Sequence, residues 1–147
     1  MEWINPYGIV FVAAIMLPNI IFAIKHKDGF KNEYHNKFLE VLEQIGRIGC
    51  IAFMTFNIPK AWFGWRSNEA FAVYLIANSA MVLLYFAFWI IFSRKNSIAR
   101  ALSLSITPSV IFLFSGVMSC SPLLIASSLL FAFSHIKISY KNAKLSS

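Results

Sequence analysis

The stretch Phe38–Ile58, FLEVLEQIGRIGCIAFMTFNI, decides how this chain is read, because it is the one apolar span that carries charge in its body. Glu40, Glu43 and Arg47 fall at helical spacing in its first half, and no further charge follows until Lys60. Inside a bilayer each such group costs about 2.5 to 3.5 kcal/mol on insertion scales when it stands alone, so each needs a partner. At about 100° per residue, Asn36, Glu40, Glu43, Arg47 and Met54 share a stripe about 60° wide, with Leu42, Ile45 and Gly49 on the far side. Glu43 and Arg47 are related as i and i+4 with the acid first, the favourable order for a helical ion pair. Glu40 lies near the helix start, where the macrodipole favours a negative charge. Gly46 and Gly49 admit a closely packed neighbour. Asn57 and Pro59 mark the end of the span.

The composition points to lipid as the solvent. The chain has 147 residues, 59% hydrophobic, 16% aromatic and 13% charged. A water-soluble domain this small cannot hide that much apolar surface. A net charge of +7 would suggest nucleic acid in a soluble protein; here the cations gather between apolar spans, so topology explains them and no nucleic acid partner is expected. Cys50 lies within the second span and Cys120 in a later turn, too far apart in depth for a disulfide. Without a Cys/His cluster there is no basis for a metal site or a cofactor. The first segment carries Glu2, no cation ahead of its apolar run and no small-residue cleavage pattern, so it is expected to stay in the mature chain.

Outward from the central stretch, the pattern predicts an all-α, polytopic membrane protein of one domain with five transmembrane helices, spanning about 7–24, 38–58, 70–92, 101–118 and 123–138. In the first, Pro18 frees the carbonyl of Ala14, with Asn19 placed to satisfy it. The 25–37 loop, KHKDGFKNEYHNK, is polar, and its His26 and His35 read as surface residues. Trp62 and Trp65, in the loop 57–69, suit headgroup depth. Asn78 is the strongly polar residue of the third span and suits an interhelical hydrogen bond. A basic loop carries Arg94, Lys95 and Arg100. The fourth span bends at Pro108 and offers Ala101, Ser105 and Ser109 as a small-residue ridge; the fifth offers Ser128 and Ala132. His135 reads as an interfacial histidine and Lys137 as a snorkelling cation. The tail SYKNAKLSS is expected to be disordered at its end.

Placing the 25–37 loop, the 93–100 loop and the tail on one side puts eleven cations there and leaves Lys60 and Arg66 opposite. The positive-inside rule makes the richer side cytoplasmic, so the N-terminus is outside and the C-terminus inside. The same bias makes any homo-oligomer parallel. In a four-span alternative the last apolar stretch is re-entrant or interfacial.

No HExxH, GxSxG, Walker A or dinucleotide fingerprint occurs, and an enzyme is not expected. Two classes of function remain. The first is helix-mediated contact with a membrane-protein partner or lipid, in an accessory or stabilising role at the cell membrane. It is motivated by the small-residue ridges and by a cationic face suited to anionic lipid headgroups. The alternative is binding or transport of a small solute or ion through a cytoplasm-open cavity lined by Glu40, Glu43 and Arg47, with Asn19 and Asn78 completing a polar intramembrane site.

Overall fold

The computed structural model describes residues 4–25, 34–56, 65–92 and 97–146, and these form five α-helices. They are α1 (Pro6–Lys25), α2 (Lys37–Thr55), α3 (Asn68–Ile91), α4 (Ile98–Met118) and α5 (Pro122–Ser146). Each start has a local cause. Pro6 and Pro122 occupy the first helical position, where a missing N–H costs nothing. Asn5, Asn36, Ser67, Ser97 and Ser121 each accept from a backbone N–H of the first turn that follows. Four helices, α1, α3, α4 and α5, are long and apolar enough to cross a membrane; α2, with its charges, is not one of them.

The helices close into a ring in the order α1, α2, α5, α4, α3, with α2 and α4 also meeting across the middle. Cross-contacts fix their directions. Along α2 and α5, Tyr34 N–H donates to Asn142 Oδ1 at 2.8 Å, His135 meets Glu43, and Gly49 faces Ser127, so the pair is antiparallel. α3 and α4 are likewise antiparallel, joined by Asn78 with Ser115 and by Trp89 with Arg100. α1 and α3 instead run parallel: Tyr7 packs on Phe71, Phe11 on Tyr74, Asn19 bonds Tyr85, and Phe22 packs on Trp89. Between them α2 returns along the bundle, its far end tied to the start of α1 by Asn5 N–H donating to the Thr55 carbonyl at 2.8 Å. At a rise of about 1.5 Å per residue, the 19 residues of α2 reach roughly 28 Å.

Small residues set the closest approaches. A Cβ built on Gly46 lies 2.5 Å from the backbone nitrogen of Phe131, and one on Gly8 would fall on the Met54 carbonyl oxygen. Buried serines are frequent on α4 and α5, among them Ser105, Ser109, Ser115, Ser128 and Ser134. Several satisfy themselves within their own helix: Ser109, Ser128 and Ser134 donate to carbonyls three or four residues back at 2.6 to 2.7 Å. Large apolar side chains point the other way. On α2, Phe38, Val41, Ile45 and Ile48 are exposed, whereas Leu39, Gly46, Cys50 and Met54 are buried. The core is itself largely apolar, and the many large apolar side chains on the outer surface are what a hydrocarbon solvent tolerates.

Several boundaries differ from the sequence expectation. α2 ends at Thr55 rather than near Ile58, because Phe56 turns extended to bridge with Ile4. Asn68 and Glu69 open α3 instead of ending a loop, since Ser67 caps it and Glu69 suits the first turn. Arg100 is not a loop cation: it lies in the first turn of α4, buried, its guanidinium over the rings of Phe22 (5.0 Å) and Trp89 (5.4 Å). α5 continues past Ile138 to Ser146, so most of the tail is helical rather than disordered. Gly46 and Gly49 admit a close neighbour as expected, and that neighbour is α5. Trp62, Arg94, Lys95, His26 and most of the 25–37 loop fall outside the described residues.

Candidate functional site

The interior polar cluster begins with α2. Its helical repeat places Glu43 and Arg47 one turn apart, and Arg47 Nη2 donates to Glu43 Oε1 at 2.7 Å. The close approach at Gly46 brings α5 in alongside, and His135 Nδ1 meets the same oxygen at 2.6 Å. An ionised carboxylate only accepts, so Nδ1 carries the hydrogen and Nε2 is the imidazole's other face. Phe131, one turn before His135, stacks on the imidazole with centroids 4.6 Å apart and planes 15° apart. The Arg47 guanidinium sits 5.9 Å from the Phe131 ring centroid. Packing and hydrogen bonding together fix the imidazole's orientation.

Beside this cluster lies a cavity of about 190 Å³ to which all five helices contribute. α1 supplies Asn19, α2 Arg47, α3 Tyr85, α4 Pro108 and α5 His135. Asn19 Nδ2 donates to the Ile15 carbonyl at 3.1 Å and to the Tyr85 hydroxyl oxygen at 3.0 Å. It therefore serves a carbonyl one residue beyond the one Pro18 frees, and links α1 to α3. Apolar groups, including Ile51 and Phe112, complete the wall. Taking about 30 Å³ per molecule of liquid water, the space holds about six waters' volume.

Of the five candidate residues, Asn19, Glu43 and Arg47 come together here, with Glu43 behind the wall rather than in it. Glu40 stands apart. It occupies the first turn of α2, 3.8 Å from His35, and does not line the cavity. Asn78 stands apart too, buried between α3 and α4, where its Nδ2 donates to Ser115 Oγ at 2.9 Å and its Oδ1 has no hydrogen-bond partner. It makes the interhelical bond that a lone intramembrane asparagine suggests.

Two contributors were not among the sequence candidates. His135, read as an interfacial histidine, is half-buried between α5 and α2 against Glu43. Its signal was available: it is the sequence's one histidine in an apolar run. Tyr85 gave no signal, since an aromatic residue in an apolar helix looks like any other. Among the described residues no group of three or more His, Cys, Asp or Glu could hold a metal ion, and Cys50 and Cys120 are both free thiols.

No protein-family profile matches the chain, and no curated protein or solved structure matches it either.

Proposed function

We propose that this is a multi-pass protein of the cell membrane whose five-helix bundle binds a small polar solute in its interior cavity. The convergence of all five helices on one cavity, whose mainly apolar wall holds Asn19, Arg47, Tyr85 and His135, carries this reading. Polar side chains are costly at such depth and are retained where they meet one another or a ligand. The small residues that motivated an external partner are largely engaged within the chain: Gly46 and Gly49 receive α5, and Ser105, Ser109 and Ser128 are buried.

In this reading α2 is the fifth span. Support comes from the parallel packing of α1 and α3, which requires the chain to cross back between them, and from the apolar outer face of α2. Lys25, Lys37, Lys141 and Lys144 lie towards one end of the bundle and Arg66 at the other, which by the positive-inside rule gives an external N-terminus and a cytoplasmic C-terminus.

The test is thermal unfolding of the purified full chain in micelles against a panel of small neutral, anionic and cationic solutes. At least one class is expected to raise the midpoint, and Ile51→Phe, which fills the cavity without touching its polar groups, is expected to remove that effect while the protein still folds. Stabilisation that survives Ile51→Phe, or a panel with no effect, overturns the proposal.

A further inference from the structure

Resting on the cavity reading above, the geometry points to the chemical class of the occupant. Glu43 lies behind the wall, where its Oε1 accepts from both Arg47 and His135. The polar lining comes from Arg47, with N–H groups beyond the one given to Glu43, the Tyr85 hydroxyl, Asn19, whose amide hydrogens are spent on Ile15 and Tyr85, and the His135 imidazole, whose Nε2 accepts while the ring is neutral. Among the described residues no carboxylate lines the space.

Charge then sets the stoichiometry. Glu43 and Arg47 cancel, so with His135 neutral the cluster carries no net charge, and an anion entering alone would be an uncompensated charge in the interior. Histidine is the side chain that changes charge near neutral pH. With Nδ1–H held by Glu43, a proton can be gained only at Nε2, which converts that nitrogen from acceptor to donor. Four helices supply the groups around it. α2 presents Glu43 and Arg47, α3 presents Tyr85, α1 presents Asn19 with Ile15 and Met16, and α4 presents Pro108 and Phe112.

We propose that the cavity takes up one small monovalent anion together with one proton, the proton residing on His135 Nε2. Anion, proton and neutral site combine into an anion–imidazolium pair; the one bond formed is N–H at Nε2, made with a proton from solvent, and no net charge is added. The volume suits an anion of a few heavy atoms such as acetate or nitrate.

The experiment titrates the purified full chain in micelles with sodium acetate, sodium nitrate and sodium chloride, with acetamide as the neutral counterpart of acetate, at constant ionic strength. At least one of the anions is expected to stabilise the fold, and acetamide is not. If the anion requires the imidazolium, its apparent affinity falls about tenfold per pH unit wherever the unliganded imidazole is neutral. His135→Asn keeps a donor where Nδ1 stands and is expected to flatten that pH dependence. Should that variant fail to fold, calorimetry on the unaltered chain in two buffers of different ionisation enthalpy reads the same proton, with about one taken up per anion well above the histidine range. Stabilisation by acetamide equal to that by acetate, or anion binding independent of pH without proton uptake, overturns this inference and leaves the cavity reading standing. If acetamide and every anion leave the fold unmoved, the inference is overturned, while a response to another member of the wider panel still supports a binding cavity.

Discussion

Replacing Glu43 by Gln keeps the shape of the side chain and removes the charge on which two bonds converge. Glu43 Oε1 accepts from Arg47 at 2.7 Å and from His135 at 2.6 Å, and its side chain is only 12% exposed. Taking one partner from a fully buried ion pair costs about 3 to 5 kcal/mol, because the other charge is left uncompensated. Arg47 retains 35% exposure, so part of that cost is relieved and a loss of about 2 to 3 kcal/mol is expected. Adding Arg47→Gln removes the stranded charge. The double variant should therefore be more stable than Glu43→Gln alone, with a coupling of about 1 to 2 kcal/mol between the two sites. The assay is reversible unfolding of wild type, both single variants and the double variant in mixed micelles, followed by helicity. A Glu43→Gln change within about 0.5 kcal/mol of wild type, or a double variant no better than that single one, refutes the picture of a carboxylate hub.

Other outcomes follow from particular contacts. Gly46→Val drives a branched side chain into the Phe131 backbone and is expected to destabilise by at least about 1 to 3 kcal/mol, measured by the same unfolding assay. Asn78→Leu removes one bond to Ser115 but also a buried oxygen without a partner, so a change within about 1 kcal/mol is expected in that assay; a much larger loss would mean that Oδ1 has a binding role. In the five-span arrangement the α4–α5 turn lies outside the cell, so partly exposed Cys120 should react with an impermeant maleimide in intact cells while buried Cys50 does not. If α2 does not cross, Cys120 lies inside and stays unlabelled. Because Cys120 adopts a left-handed φ of 54°, Cys120→Gly is expected to hold or raise stability by up to about 1 kcal/mol in thermal unfolding.

Much of the bundle could be read along the chain. Runs of apolar residues broken by charged loops located all five helices to within a few residues at most ends, and the Glu43–Arg47 pair followed from their spacing alone. The larger errors were at ends set by tertiary contacts. α2 stops where Phe56 meets Ile4, and α5 runs on through a polar segment whose Asn142 is held by the Tyr34 backbone. Grouping Glu40 with Glu43 relied on a shared stripe, and Asn78 was added because it is polar in a span. One helical turn separates the two acids, enough to leave Glu40 beside exposed His35 while Glu43 turns in towards α5.

The sequence by itself determined what each segment can bear: which stretches tolerate hydrocarbon, where helices begin, and which charges neutralise each other within one turn. Those properties depend on neighbours a few residues away. Only the tertiary structure decided which faces meet, because the register of α2 on α5 is set by the absence of a side chain at Gly46 opposite Phe131. That contact carries His135 across 92 residues of chain to Glu43. Ring closure then places Asn19 and Tyr85 on the same cavity, an assembly that no local pattern in the chain encodes.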